Sequence, residues 1–235
     1  MPTPRRIDLI AFDADDTLWH NEHYFRLTET RFTELLADFA EPDHLLERLL
    51  DAERRNIHQY GFGIKGFTLS MIETALDVTR NKVPATVIAE ILNAGRDMLA
   101  HPANPLPHVQ ETLEALAGRY QLVLITKGDL FDQERKLAQS GLGELFDGVE
   151  IVSNKTVETY RTIFAAMGAE PTAAVMVGNS LKSDIVPALE AGAWAVHIPY
   201  EITWALEHHD ETPENEKFRA IRDMSELGGV LAEIG

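Results

Sequence analysis

The chain of 235 residues contains no cysteine, so disulfide bonds, thiolate metal sites and cysteine nucleophiles are all excluded. That absence fits a reducing compartment. Positive charge is also scarce: 21 Lys and Arg stand against 38 Asp and Glu, a formal net charge of −17. The field of such a molecule repels polyanions, which argues against a nucleic-acid polymer as partner. A small phosphorylated molecule can bind only where local cations overcome that field. No apolar run approaches the ~20 residues needed to span a bilayer. Acids at Asp8, Asp13, Asp15 and Asp16 interrupt the N-terminal stretch, which carries Arg5 and Arg6, before it could act as a secretion leader. The expectation is a cytoplasmic protein without membrane contact.

What is present is ordinary for a folded chain. Hydrophobic residues make up 45% of the sequence and charged residues 25%, far from the signature of disorder. The length corresponds to one large domain or to one domain carrying an insert.

Ile7 to Asp13 is a short apolar run ending in acids, the pattern of a strand buried on both faces. Gln121 to Thr126, Val149 to Val152, Ala174 to Gly178 and Trp194 to Ile198 resemble it. Helical patterns lie between them; Val157, Tyr160, Phe164 and Met167, for example, share one face. Alternating strands and helices imply βαβ units and a parallel sheet, whose ligands bind at the carboxyl ends of the strands.

Residues from about 20 to 103 break the alternation, with no strand-like run. Phe32, Leu35, Leu36 and Phe39 mark one amphipathic helix and Leu45 to Leu50 a second. Met71 to Val78 mark a third, and Ile88, Ile91, Leu92 and Leu99 a fourth. Pro102, Pro105 and Pro107 then favour a stiff, extended return. The reading is an α/β core formed by residues 1–19 and 104–235, with an all-helical domain, residues 20–103, inserted after the first strand. The polar stretch from His208 through Asp210 and Glu211 to Lys217 is expected to be a solvated loop, followed by a short strand near Phe218 and a closing helix.

Asp13 and Asp15 follow the first strand and lie two residues apart, so in extended backbone they face the same side. Two converging acids serve a metal, an acid/base pair, or both; the plainer alternative is a turn whose acids cap the next helix. The other strand ends add polar groups. Thr126-Lys127-Gly128 offers a hydroxyl and free N–H groups ahead of a helix, Lys155 offers a charge, and Gly178-Asn179-Ser180-Leu181-Lys182-Ser183-Asp184 offers an amide and a carboxylate. Each alone has an ordinary alternative, such as an N-cap, a surface lysine or a first-turn acid. Together they stand in order at one edge of one sheet.

This set resembles the haloacid dehalogenase superfamily of phosphohydrolases, whose motifs are DxDxT, a Thr or Ser, a Lys, and a GDxxxD-type acidic motif. Asp13, Asp15 and Thr17 match the first, Thr126 the second, Lys155 the third, and Gly178, Asn179 and Asp184 the last. The resemblance covers nearly the whole chain. It implies a Rossmann-like parallel sheet flanked by helices, with the insert as a helical cap. It further implies that Asp13 is a nucleophile forming an aspartyl-phosphate and that Asp15 is the general acid and base. Thr126 and Lys155 would hold the phosphate oxygens. Mg²⁺ would be bound by Asp13, the carbonyl of Asp15, Asn179 and Asp184. Relatives that act as dehalogenases generally lack an acid at the place of Asp15, so phosphatase chemistry is implied, on a nucleoside monophosphate or a sugar phosphate. A phosphomutase and a non-catalytic phosphate-ligand-binding protein are the alternatives.

Three positions depart from that pattern. Asn179 stands where many relatives have an acid, which removes one negative charge from the metal site; at an effective dielectric near 20, a unit charge about 4 Å away is worth roughly 4 kcal/mol before desolvation. Asp16 replaces a common glycine. Lys127 replaces a common asparagine, and either adds charge at the phosphate or points to solvent.

Gly61-Phe62-Gly63-Ile64-Lys65-Gly66 spells a dinucleotide-binding pattern, but it follows a helical stretch rather than a strand. It reads either as a mobile loop offering Tyr60, Phe62 and Lys65 to the substrate's leaving group or as a glycine-rich turn between helices; Lys127 and Gly128 are separately expected to bind the substrate on the phosphate side. His208-His209 has no partner at ligand spacing. Trp19, His20 and His23 either line the pocket or pack the hinge.

Overall fold

Short runs rich in Val, Ile, Leu and Ala pair side by side in the computed structural model, which describes residues 7–209 and 212–235. Arg5 and Arg6 of the leader question, and Asp210 and Glu211 of the polar stretch, lie outside the described residues. In chain order the elements are β1 (Leu9–Phe12), α1 (Glu22–Leu35), α2 (Pro42–Tyr60), α3 (Ile64–Val78), α4 (Ala85–Ala100) and α5 (Val109–Leu116). Then come β2 (Gln121–Lys127), α6 (Leu130–Ser140), β3 (Gly148–Val152), α7 (Val157–Ala166), β4 (Ala174–Gly178), α8 (Val186–Ala191), β5 (Trp194–His197), β6 (Phe218–Ala220) and α9 (Leu227–Ile234).

The chain divides into two compact units. The α/β unit comprises residues up to His20, Ala103–Lys127 and Arg135–Gly235; the helical unit comprises Asn21–Pro102 and Gly128–Glu134. The first residues of α6 thus group with the helical unit and its remainder with the α/β unit.

The α/β unit is built on a six-stranded sheet of order β3-β2-β1-β4-β5-β6, and every pairing is parallel. Alternation along each strand sends side chains to opposite faces. Ile10, Phe12, Leu122, Leu124, Val175, Val177 and Val196 meet Val109, Leu113, Leu227 and Leu231 of α5 and α9 on one face. Leu9, Ala11, Val123, Ile125, Met176 and Ala195 meet Tyr160, Phe164 and Ala188 of α7 and α8 on the other. Because both faces are covered, β1 and β4 are buried along their whole length and carry no polar alternation. β1 is central, flanked by β2 and β4. The residues that follow it therefore emerge at the middle of the sheet's carboxyl edge, where the strand order places a crevice.

The helical unit has its own core. Phe32 and Leu36, Leu45 and Leu49, Ile64, Phe67 and Met71, and Ile91 and Met98 pack together. Phe25 and Phe67 bring ring centroids within 4.9 Å. Two expected core positions differ. The first helix ends at Leu35, so Phe39 lies beyond it in a turn and is 42% exposed. Leu92 is 41% exposed because its neighbour Ile91 takes the inward face of α4, and adjacent helical residues point about 100° apart. The glycine pattern resolves as a short turn between helices. Gly61 (φ 74°) and Gly63 (φ 107°) flank a tight α2–α3 connection, and Gly66 already lies inside α3. Among the described residues, no helix is long and apolar enough to cross a membrane.

Candidate active site

At the carboxyl end of β1 the backbone N–H of Asp13 donates to Val177 O at 2.9 Å, which carries the β1–β4 pairing one residue past the strand. The chain then turns sharply. Thr17 and Leu18 N–H donate to Ala14 O at 3.2 and 2.8 Å, and Asp16 N–H donates to Trp19 O at 2.7 Å. This turn forces Asp16 to φ 63°, a left-handed conformation. The requirement explains why glycine suits this position, and Asp is among the side chains that tolerate it best.

The turn leaves Asp13 7% exposed, its carboxylate held by two side chains. Lys155 Nζ donates to Oδ1 and Thr17 Oγ1 donates to Oδ2 at 2.9 Å; the Thr17 hydroxyl also lies 3.3 Å from Asn179 Oδ1. Lys155, delivered by the segment after β3, is 4% exposed and donates as well to Asp184 Oδ1 at 2.7 Å. The other Asp184 oxygen accepts from Ser180 N–H at 2.9 Å. Burial, and next the charge of Asp184, push the Asp13 carboxyl well above the usual carboxylate range, against the pull of Lys155. Burial also works against the Lys155 charge, but Asp13 and Asp184 outweigh it and hold the ammonium above the usual lysine range. Two carboxylates thus face one ammonium, and negative charge is in excess.

The turn after β4 is as constrained as the one after β1. Residues Leu181–Ile185 form a π-helical turn, a geometry recurrent at functional sites. Ser180 Oγ caps it by accepting from Ser183 N–H at 3.0 Å, and Tyr160 donates its hydroxyl to Ser183 O at 3.0 Å. His197 Nε2–H donates to Asn179 O at 2.9 Å, and burial lowers the pKa of this imidazole, which favours its neutral form. Gly178 is required by close approach. A Cβ there would fall 2.4 Å from Asp184 Oδ2. Gly178→Ala is therefore expected to displace the Asp184 carboxylate and to cost about 1–3 kcal/mol of stability, measured by denaturant unfolding; a variant as stable as the native chain would contradict the tight packing.

Asp15 has hydrogen-bond partners of its own. Its Oδ1 accepts from Trp19 Nε1–H at 2.8 Å, and Lys136 Nζ donates to both oxygens at 2.9 and 3.1 Å. Trp19 is thereby a buried support for Asp15, and His20 pairs with Tyr200, ring nitrogen to hydroxyl, at 2.5 Å. Thr126 sits buried at the end of β2, its hydroxyl 3.3 Å from Lys127 O. Lys127 does not point to solvent: its ammonium donates to Ser183 Oγ at 2.7 Å and to Glu207 Oε1 at 2.5 Å.

Asp13, Asp15, Thr126, Lys127, Lys155, Asn179 and Asp184 all belong to the α/β unit. Gly128, Phe62 and Lys65 belong to the helical unit, where Lys65 Nζ donates to both oxygens of Asp129 at 2.9 Å and lies 5.5 Å from the Phe131 ring centroid. Lys136 and Glu207 were not marked by any motif. Lys136 is an unremarkable lysine of an amphipathic helix, and Glu207 precedes a stretch that reads as solvated loop.

Among the described residues, no group of three or more His, Cys, Asp or Glu is placed to hold a metal. The oxygen donors near Asp13 are instead two carboxylates, Asp13 and Asp184, and the Asn179 amide. A hard divalent cation fits such donors, and it would offset the charge of Asp184, which together with the larger effect of burial lifts the Asp13 carboxyl.

The chain is similar to several known proteins. A haloacid dehalogenase-like family hydrolase from Xanthomonas campestris shares 38% identity, with a TM-score of 0.88 over 97% of this chain and 91% of its own. A glyceraldehyde 3-phosphate phosphatase of Methanothermobacter thermautotrophicus is 25% identical over 94% of this chain and 98% of its own. A pyrimidine 5'-nucleotidase of Escherichia coli is 26% identical over 88% and 89% respectively. The pattern of haloacid dehalogenase-like hydrolases matches residues 7–192, and the chain belongs to that family.

Proposed function

We propose that this protein is a Mg²⁺-dependent phosphatase that hydrolyses a small phosphorylated metabolite, a sugar phosphate or a nucleoside monophosphate, through a phosphorylated Asp13. The observation that carries the reading is Lys155, whose buried ammonium contacts both Asp13 and Asp184. It supplies the local positive charge without which an acidic chain would repel a phosphate. The relatives named for a triose phosphate and a nucleotide support the substrate class.

A phosphomonoester resists nucleophiles because its oxygens are anionic, so catalysis depends on charge compensation and alignment. Lys155 and Thr126 take the phosphate oxygens, and Thr17 fixes the rotamer of Asp13 so that one oxygen is presented for attack. Asp13 attacks phosphorus, the P–O bond to the leaving group breaks, and Asp15 delivers a proton to the departing oxygen. Asp15 then takes a proton from the water that cleaves the aspartyl-phosphate, which returns Asp13 as a carboxylate and releases inorganic phosphate. Asp13, Asp184, Asn179 and the Asp15 carbonyl would hold Mg²⁺, which when bound supplies further neutralisation of phosphate charge. The insert, residues 20–103, is assigned the part of a cap, with Phe62 and Lys65 meeting the leaving group and Gly128 the phosphate side. The commitments of Lys127 to Ser183 and Glu207 and of Lys65 to Asp129 would have to loosen for either lysine to reach a substrate.

The test is phosphate release from a panel of triose, hexose and nucleoside monophosphates, with Mg²⁺ and with excess chelator. Release from at least one class, lost on chelation and restored by Mg²⁺, is expected. A panel without any release, from protein that binds Mg²⁺, would overturn the proposal. Asn179→Asp restores a third carboxylate, and its Mg²⁺ dissociation constant is expected to fall about tenfold or more by calorimetry; an unchanged constant would remove Asn179 from the metal set.

A further inference from the structure

β2 and β4 are not neighbours in the sheet, because β1 lies between them. The last residue of β2, Lys127, and the Ser180–Asp184 turn after β4 are therefore joined across the end of the strand that presents Asp13. Glu207, on the loop after β5, makes that join. Its side chain is 17% exposed, and both carboxylate oxygens are used. Oε1 accepts from Lys127 Nζ at 2.5 Å; Oε2 accepts from Ser180 Oγ at 2.6 Å and from Ser183 Oγ. Lys127 also donates to Ser183 Oγ, which closes the network. One residue earlier, Leu206 O accepts from Lys182 Nζ at 2.6 Å, so the loop holds the turn at two successive residues.

A carboxylate withdrawn this far from water is stable only with a full set of donors. Burial opposes its ionisation, yet Lys127 and the serine hydroxyls keep its pKa below the usual glutamate value. Of the serines in this network, Ser183 directly precedes Asp184 and Ser180 directly follows Asn179.

We infer that Glu207 is a positioning residue: through Ser180, Ser183 and Lys127 it fixes the turn that carries Asn179 and Asp184 relative to Asp13. The inference rests on the reading of this site as a Mg²⁺-dependent phosphatase. Outer partners of metal ligands commonly affect affinity or activity by about 10–100-fold, and Glu207 stands in that relation to the turn.

Calorimetric titration of the full chain with MgCl₂ alone, for native protein, Glu207→Gln and Glu207→Ala, tests this without turnover. Steady-state hydrolysis of p-nitrophenyl phosphate supplies kcat and KM. Glu207→Gln keeps the size of the side chain and is the variant on which the test depends if Glu207→Ala does not fold. Its Mg²⁺ dissociation constant is expected to rise about tenfold, and kcat to fall by a similar factor with KM within about twofold. A Glu207→Gln protein that melts earlier but keeps native Mg²⁺ affinity, kcat and KM has lost only a structural contact and overturns the inference. Native protein that neither binds Mg²⁺ nor releases phosphate fails the proposed function itself, and the inference falls with it.

Discussion

Asp13→Asn is expected to abolish phosphate release while leaving the protein at least as stable as the native chain. An amide of the same shape cannot attack phosphorus, and loss of a nucleophile lowers turnover by about 10⁴-fold or more. Stability runs the other way because the native carboxylate is held against its preference. It is buried, it faces Asp184, and one ammonium is shared between the two acids. Replacing it with asparagine removes a buried charge, keeps an oxygen for Lys155, and leaves Lys155 its contact with Asp184. Phosphate release and thermal melting, measured on one preparation, check both halves. Turnover within tenfold of native would take the nucleophile's role from Asp13, and a large drop in melting temperature would mean that the carboxylate is structural.

Lys155→Met is expected to lose activity and stability together. The methionine fills the space but leaves Asp13 and Asp184 without the cation they share. Breaking a buried ion pair from one side costs about 3–5 kcal/mol, which for a chain of this size corresponds to a melting temperature lower by roughly 10 °C. With the local positive charge gone, phosphate binding and transition-state neutralisation fall together, and a drop in kcat/KM of at least about 10³-fold is expected. The contrast between the two variants is diagnostic. One removes the proposed nucleophile and relieves the site; the other removes the cation that the two buried acids share. A Lys155→Met protein with native melting temperature would mean that the buried pair contributes little to the fold.

The sheet was the most legible part of the sequence. β4 coincides with its apolar run at Ala174 to Gly178, and β2 and β5 differ by a single residue at one end, because strands covered on both faces show uninterrupted Val, Ile, Leu and Ala. Helix faces were less legible. Phe39 continues the 3.6-residue pattern of α1, but the chain has already turned toward Pro42, which opens the next helix. At the site, the residues read from motifs are those that immediately follow strands, where sequence order is itself a spatial order. Lys136 reaches Asp15 across 121 positions, and Glu207 reaches Ser180 across 27, through contacts made only by tertiary folding. Nothing local distinguishes such a lysine or glutamate from the other charged residues of an acidic surface.

The two ends of the helical insert meet the α/β unit side by side: Trp19 bridges Pro105, and Leu106 N–H donates to Leu18 O at 2.8 Å. Departure and return are thus clamped at a single port. A loop whose ends are already adjacent costs little more as it lengthens, about 0.6 kcal/mol for each doubling. The port therefore decouples the size of whatever is inserted there from the stability of the sheet. An insert of another length, or a short hairpin, would fit the same port without disturbing the acids at the end of β1.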